Sequence, residues 1–261
     1  MTSAVKLLQS LLQTRQVSAW QALYNCSATK QSWKRAHRWS YSDEVAQRTI
    51  DDIRNKLCLQ SAQRILEVGC GCGIVCNSLL RDGQKAVGLD LSEELLRRAS
   101  DFGVNQRKVA LVAAEATRLP LCDASFDRVL CYSVFQCFPS KRYAKWVLEE
   151  LMRVCQPGGI ILVGDIFERT RVGPIWSFCR ILLGGLHALR LRAWLLARPF
   201  KKTTIEKELS DRYVLRQYYS KRFFEKVLRG RDCDVELLPQ KIAGREMVGE
   251  RFDVRIVKDL A

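Results

Sequence analysis

Residues 64–90 of this 261-residue chain read as a strand, a glycine-rich turn, a helix and a second strand. Residues 64–68 are a short apolar run, residues 69–73 spell Gly-Cys-Gly-Cys-Gly, and residues 74–80 are apolar and helix-like. Residues 86–90 then form a second strand that ends on Asp90. Strands and helices continue to alternate, which predicts an α/β fold with a parallel sheet covered on both faces.

Two carboxylates flank the glycine turn and indicate which kind of ligand it holds. The spacing Gly-x-Gly-x-Gly differs from the Gly-x-Gly-x-x-Gly of dinucleotide sites, and Glu67 stands two residues before the first glycine. Its charge would repel a pyrophosphate but not a cationic amino-acid ligand. Asp90 can accept both hydroxyls of a ribose. The segment therefore predicts an adenosine-type cofactor.

With these residues the chain resembles the class I S-adenosylmethionine-dependent methyltransferases of the "methyltransferase domain 11" type, most of which methylate small molecules. Four blocks carry the resemblance, in the family's order and spacing: residues 66–73, 88–92, 114–129 and 151–159. One departure is Glu115, where the family more often has Asp. The longer side chain extends the reach toward an adenine amino group and keeps the charge.

The resemblance implies S-adenosylmethionine as cofactor, with S-adenosylhomocysteine as product, and a role for each matching residue. Glu67 and the backbone of residues 69–73 would hold the methionine part, and Asp90 the ribose. Leu91 would pack on the adenine, whose amino edge Glu115 would read. The full predicted set of cofactor contacts is Glu67, Gly69, Cys70, Gly71, Gly73, Asp90, Leu91, Glu115, Ala116, Cys131 and Ser133.

The alternation and the resemblance together predict a Rossmann-like, seven-stranded, mostly parallel sheet with an antiparallel last strand and helices on both faces. Strands are expected at residues 160–163, 235–238 and 252–257, and a helix at residues 220–228 between Ser220 as N-cap and Gly230 as stop. We expect residues 1–50 to be an N-terminal helical extension and residues 51–261 to be the methyltransferase domain. Residues 168–210 would be a basic, apolar cap insert within it.

Methyl transfer from a sulfonium needs alignment and exclusion of water more than an elaborate set of catalytic groups. Asp165, at the end of the fifth strand, is a candidate base or a cap. Gln136, just after the fourth strand, is a candidate acceptor contact, and Tyr41 a candidate for closing over the cofactor. The two histidines, His37 and His187, fit structural or solvated positions better than a catalytic one.

Several absences narrow the chemistry to a metal-independent transfer to oxygen, nitrogen or carbon. The sequence has no Pro-Cys pair and no Asn-Pro-Pro-Tyr run, and its fourth strand does not end on Asp. The missing Pro-Cys pair disfavours a cytosine methyltransferase that uses a cysteine nucleophile. The missing Asn-Pro-Pro-Tyr run disfavours methylation of exocyclic adenine nitrogens or glutamine amides, and the missing Asp disfavours a magnesium-dependent catechol-type site. The eleven cysteines fall mostly in predicted core elements or in the glycine turn, which favours core thiols over metal ligands and predicts a reducing compartment.

The charge distribution points to apolar or anionic partners. The net charge is +15, and no acidic residue precedes Asp43, so the N-terminus fits a mitochondrial targeting peptide, a cap helix or a membrane-surface anchor. We expect a cytoplasmic protein, with the mitochondrial matrix as alternative. Residues 175–200 are apolar but interrupted by arginines, which is typical of an interfacial or cap helix and not of a transmembrane one.

These features favour a small hydrophobic or anionic acceptor and permit a peripheral membrane contact. An RNA methyltransferase would use the basic surface for phosphate contacts, yet the sequence shows no recognisable RNA-binding module, which disfavours a nucleic-acid partner. A noncatalytic binding protein is the third interpretation. Against it, Glu67, the turn glycines, Asp90 and Glu115 are all retained.

Overall fold

The computed structural model describes residues 43–61, 64–168, 217–240 and 251–260. The cap insert beyond residue 168, Tyr41, and the N-terminal extension before residue 43 lie outside these residues. The described helices are α1 (Asp43–Leu57), α2 (Ile74–Leu79), α3 (Glu93–Arg97), α4 (Lys141–Val154) and α5 (Lys221–Leu228). The strands are β1 (Arg64–Val68), β2 (Lys85–Asp90), β3 (Val109–Ala113), β4 (Phe126–Tyr132), β5 (Cys155–Phe167), β6 (Cys233–Pro239) and β7 (Arg251–Lys258).

The strands form one seven-stranded sheet in the order β3-β2-β1-β4-β5-β7-β6. Strands β1 to β5 pair in parallel with one another, with Leu66 opposite Val87 on β2 and Val129 on β4. Strand β7 runs antiparallel to both β5 and β6. The predicted sheet, with its antiparallel last strand, is therefore confirmed.

Helices cover both faces of this sheet, also as predicted. On one face, Ile53 of α1 and Leu79 of α2 pack in a buried cluster with the sheet residue Leu130. On the other face, Leu148 of α4 and Phe224 of α5 share the larger buried cluster. None of the described helices is long and apolar enough to cross a membrane.

Two predicted boundaries differ in detail from the structure. Ser220 stands at the N-cap of α5, but its side chain makes no capping hydrogen bond. Strand β5 is 13 residues long and begins at Cys155, well before the predicted residue 160. The predicted strand started only after the Pro-Gly-Gly of residues 157–159. In the structure β5 includes these three residues, because its register with β4 shifts at that point.

Candidate cofactor and acceptor site

The carboxyl ends of the parallel strands bring the sequence-predicted residues to one edge of the sheet. Glu67 is near the end of β1, Asp90 ends β2, Ser133 directly follows β4, and Asp165 lies near the end of β5. In open α/β sheets, ligands bind outside this edge, where the strand order reverses. Here the reversal lies between β1 and β4. The candidate site is therefore this edge of the sheet.

The glycine turn after β1 needs glycine for both conformation and space. Gly69, Gly71 and Gly73 all have positive φ, at 80°, 57° and 76°, a region that side chains disfavour. The N–H groups of Gly69 and Cys70 both donate to the Leu89 carbonyl, at 2.6 and 3.0 Å. A Cβ on Gly69 would lie 2.3 Å from Cγ2 of Val134. The turn therefore lies tightly between β2 and the residues that follow β4.

Replacing Gly69 by alanine is expected to destabilise the fold and to abolish cofactor binding, because the new methyl group clashes with Val134. Gly83→Ala is the matched control, since Gly83 has the same φ of 80° but nothing within 4 Å of the added Cβ. The left-handed conformation alone costs about 1–2 kcal/mol, and overpacking adds about 1–3 kcal/mol at residue 69. Urea unfolding measures both variants. Equal losses for the two would contradict the packing argument.

Asp90 fixes the turn to the end of β2. Its two carboxylate oxygens accept hydrogen bonds from the N–H groups of Gly71 and Ser92, each at 2.8 Å. Burial raises the pKa of the Asp90 carboxyl, and these backbone hydrogen bonds oppose the rise. Each oxygen keeps a lone pair free of these two bonds. The carboxylate is thus oriented in advance and can still accept ribose hydroxyls.

Glu67 is the clearest sign that this edge receives a cation. The residue is only 3% exposed, and among the described residues its Oε2 atom finds no hydrogen-bond partner. Burial raises the pKa of the Glu67 carboxyl to about 8, although a backbone hydrogen bond from Cys76 opposes the rise. A buried acceptor without a partner is costly unless a ligand satisfies it. Glu67 and the glycine turn therefore fit the ammonium-bearing methionine end of S-adenosylmethionine.

The predicted adenine side lies one strand further along the sheet edge. Leu91 is half-buried, and the Ala114 N–H donates to the Asp90 carbonyl at 3.0 Å, which ties the segment carrying Glu115 to β2. The Glu115 carboxylate accepts a hydrogen bond from the Thr117 hydroxyl at 3.0 Å. Ala116 follows it and is half-buried.

Tyr143, which sequence reasoning did not single out, contacts the same carboxylate. Burial raises the pKa of the Tyr143 hydroxyl, and its hydrogen bond with Glu115 adds to the rise. Tyr143 lies in the first turn of α4, next to the Ser140 N-cap, whose hydroxyl accepts the Tyr143 N–H at 3.1 Å. The start of α4 therefore orients Glu115. No local pattern could have revealed this contact, since the two residues are far apart in sequence.

On the acceptor side, three predicted residues are joined by hydrogen bonds. The Ser133 hydroxyl donates to Oδ2 of Asp165 at 2.7 Å. The Gln136 amide donates to the Ser133 carbonyl at 2.6 Å and to the Ser133 hydroxyl at 3.1 Å. Ser133 and Asp165 both adopt positive φ, at 62° and 59°, a conformation that is costly for these residue types. Cys131, two residues before Ser133, is fully buried.

Asp165 is a buried anion whose charge is balanced by a residue that the sequence did not reveal. It is 1% exposed and forms an ion pair with Arg251, the first residue of β7. The Arg251 guanidinium also lies over the Phe167 ring, 4.3 Å from its centroid. The Asp165 N–H donates to Asp253 at 2.8 Å. The Ser133 hydroxyl links Asp165 to the acceptor side, and the role of Asp165 as a base stays a prediction.

A second buried ion pair lies behind the first. The Lys56 ammonium contacts Asp253 at 2.6 Å and Asp52 at 2.5 Å, and Asp253 is fully buried. One sequence signal was available: Asp253 interrupts the apolar run of residues 252–257 that predicted β7. A carboxylate within a buried strand requires a partner.

Comparison with known proteins finds matches to the part of the chain that carries the candidate site. Residues 66–163 match the family described as "Methyltransferase domain". The chain is 35% identical over 119 residues to a malonyl-[acyl-carrier protein] O-methyltransferase of Erwinia pyrifoliae, covering 45% of this chain and 43% of the relative. It is 28% identical over 169 residues to a ubiquinone biosynthesis O-methyltransferase of Albidiferax ferrireducens, covering 60% and 62%. The chain thus spans less than two thirds of the length of these curated relatives.

Among solved structures, a SAM-dependent methyltransferase from Methanosarcina mazei superposes with a TM-score of 0.56 at 19% identity. The superposition covers 80% of this chain and 98% of that one. At this identity the likeness shows a shared fold. The family match agrees with the resemblance that the glycine turn and the two carboxylates had indicated.

Proposed function

Because this chain carries a domain of the class I S-adenosylmethionine-dependent methyltransferase family, we propose that it transfers the cofactor's methyl group to an oxygen of a small apolar or anionic acceptor. The observation that carries the proposal is the buried Oε2 of Glu67 beside the glycine turn, which has no hydrogen-bond partner among the residues that the structure describes. Oxygen as the methylated atom is supported by the two curated relatives, both named as O-methyltransferases. The apolar and basic sequence of residues 175–200 supports the acceptor class.

When bound, S-adenosylmethionine supplies a methyl group on a sulfonium, which leaves as a neutral thioether. The chain's own task is to align the partners and to exclude water. The glycine turn and Asp90 would hold the cofactor, in a backbone geometry fixed by the hydrogen bonds to Leu89 and Asp90. Glu67 would pair with the cofactor's ammonium, which would satisfy the Oε2 atom that lacks a partner among the described residues.

Gln136 is suited to hold the acceptor. Its Nε2 atom must face the Ser133 carbonyl, because a carbonyl accepts and does not donate. This leaves Oε1 buried and, among the described residues, without a partner. An acceptor hydroxyl that donates to this oxygen would satisfy it. For the proton to leave, the acceptor hydroxyl would turn from Gln136 to the remaining lone pair of Ser133 Oγ. Ser133 would take that proton as it gives its own to Oδ2 of Asp165, so Asp165 would act as base through Ser133.

Incubation with methyl-labelled S-adenosylmethionine and a total cell extract tests the proposal. After separation into organic, aqueous small-molecule, protein and RNA fractions, label is expected in the organic or small-molecule fraction. A Glu67→Gln sample at the same subsaturating cofactor concentration is the control and is expected to label those fractions much more weakly. Label in RNase-sensitive material would replace the proposal with an RNA methyltransferase. Cofactor binding without any label would support a noncatalytic binding protein.

A further inference from the structure

The outer surface of α4 and α5 carries an excess of positive charge. Both helices pack on the same face of the sheet, and the Arg231 guanidinium, in the turn that follows α5, contacts Glu149 of α4 at 3.2 Å. We call this surface the α4–α5 face and define it by its exposed cations: Lys141, Arg142, Lys145, Arg222, Lys226 and Arg229. Acidic residues on the two helices' outer sides are few, chiefly Glu149 and Glu225.

Most cations of this face are unpaired among the described residues. Within the described parts of the chain, Lys145 pairs with Glu149 at 3.9 Å, whereas Lys141, Arg222 and Lys226 have no carboxylate within ion-pair distance. Unpaired exposed cations also occur elsewhere on the described surface, at Arg81, Lys85 and Arg107, so the face is distinguished by having several of them on two neighbouring helices. Uncompensated cations on one surface produce a positive field that favours an anionic partner.

An exposed aromatic residue lies within the same face. Trp146 is 36% exposed and is, with Leu260, one of the exposed large hydrophobic side chains among the described residues. The Arg142 guanidinium lies 4.8 Å from its ring centroid. Tryptophan among arginine and lysine is typical of surfaces that sit in the headgroup region of a bilayer. RNA-binding surfaces also combine aromatic and basic residues, so a further observation must separate the two.

That observation is the position of the face beside the candidate site. Both helices begin at the carboxyl edge of the sheet: α4 follows the short helix that contains Gln136, and α5 follows Tyr219, whose hydroxyl donates to the Phe135 carbonyl at 2.9 Å. A bridge between Glu168 and Tyr219 brings together the residues that flank 169–216. The sequence between them is apolar and rich in arginine at residues 175–200, which fits a lipid surface better than a polar nucleic acid.

We propose that the α4–α5 face binds peripherally to an anionic phospholipid bilayer, with the carboxyl edge of the sheet near the lipid surface. An apolar acceptor dissolved in the bilayer would then be close to Gln136. This interaction is independent of whether the methyl group moves to oxygen, nitrogen or carbon, and even of whether it moves at all. Each lysine or arginine near an anionic surface contributes about a fivefold gain in affinity.

Sedimentation with vesicles tests this surface. The full chain is mixed with vesicles of phosphatidylcholine alone or of phosphatidylcholine with phosphatidylglycerol, and the bound fraction is measured at rising salt. The variant replaces Lys141, Arg222 and Lys226 together by glutamine. The control replaces Arg81, Lys85 and Arg107, three exposed cations near the amino ends of β2 and β3, by glutamine, so that both proteins lose the same net charge.

The wild type and the control are expected to bind the anionic vesicles in a salt-sensitive way and the neutral ones weakly. The face variant is expected to bind the anionic vesicles about a hundredfold more weakly, with an unchanged unfolding midpoint. Equal losses in both variants would show that only net charge matters and would overturn the proposal. So would no binding to anionic vesicles, or a face-dependent retention of RNA in place of lipid.

Discussion

Glu67→Gln is expected to weaken S-adenosylmethionine binding at pH 9 by roughly thirtyfold or more. At that pH most of the Glu67 carboxyl is ionised, since its pKa is about 8, and it pairs with the cofactor's ammonium in a buried site. Removing one partner of a buried charge pair costs about 2–5 kcal/mol, and each 1.4 kcal/mol is a factor of ten. Isothermal titration calorimetry with the cofactor measures the difference.

The same residue is expected to make binding depend on pH. Below pH 8 the Glu67 carboxyl is mostly protonated before the cofactor binds, so it must lose its proton to pair with the ammonium. Affinity of the wild type should therefore fall about tenfold for each pH unit below 8, and binding at pH 7 should release close to one proton. Titrations in buffers of different ionisation enthalpy count that proton. Glu67→Gln has no carboxyl to titrate at this position. Any pH dependence that it still shows measures the titration of other groups, including those of the cofactor.

As the pH rises, the wild type should lose folding stability while it gains affinity for the cofactor. Because folding raises the pKa of Glu67 from 4.5 to about 8, its contribution to stability is fully present below pH 4.5 and is lost as the pH rises through 8. Glu67→Gln should thus unfold at a higher temperature than the wild type at pH 9 and at a similar temperature at pH 4. A variant that loses affinity and stability together at pH 9 would show that Glu67 is structural.

Arg251→Met is expected to lower the free energy of unfolding by about 3–5 kcal/mol, because it leaves the Asp165 carboxylate buried without its counter-charge. The double variant Arg251→Met with Asp165→Asn should recover most of that loss, since neither charge then remains. Arg97→Met is the exposed control: both partners of the Arg97–Glu93 pair are more than half exposed, at 65% and 62%, and it should cost less than about 1 kcal/mol. Urea unfolding measures all three.

The double variant also separates two roles for Asp165. If Asp165 accepts the acceptor's proton through Ser133, the double variant should bind S-adenosylmethionine normally and transfer no label, although it is folded. Retained label transfer would remove Asp165 from the reaction and leave it the structural role of holding Ser133. Failure of the asparagine to restore stability would contradict the ion-pair argument, because the charge would then not be the cause of the loss.

Much of the fold was predictable because its signals are local. The apolar runs of β1 and β2, the glycines after β1 and the alternation of helix and strand each lie within a few residues of one another. The antiparallel β7 came instead from the family resemblance. The predicted start of β5 was wrong. Pro157 and the two glycines after it are residues that usually interrupt a strand, but the pairing of β5 with β4 and β7 accommodates them.

For the candidate site, the sequence placed Glu67, Asp90 and Ser133 together at one edge of the sheet, because parallel strands end together. It did not show that Gln136, Ser133 and Asp165 are hydrogen-bonded to one another, or that Tyr143 contacts Glu115. These contacts depend on side chains from different strands and helices. Tyr41 lies outside the described residues, so its role stays a prediction.

By itself, the sequence determined the succession of strands and helices along the chain, the glycine-rich turn after β1, and the two carboxylates that suit a cationic adenosine cofactor. Only the tertiary structure decided how the buried charges are paired and how strongly burial shifts the pKa of Glu67. Strand β7 lies between β5 and β6, so Arg251 meets Asp165 across 86 residues of chain, and the surrounding core shifts the pKa of Glu67 to about 8. Charge and burial are set by neighbours in space, which the sheet order brings together and the local sequence does not.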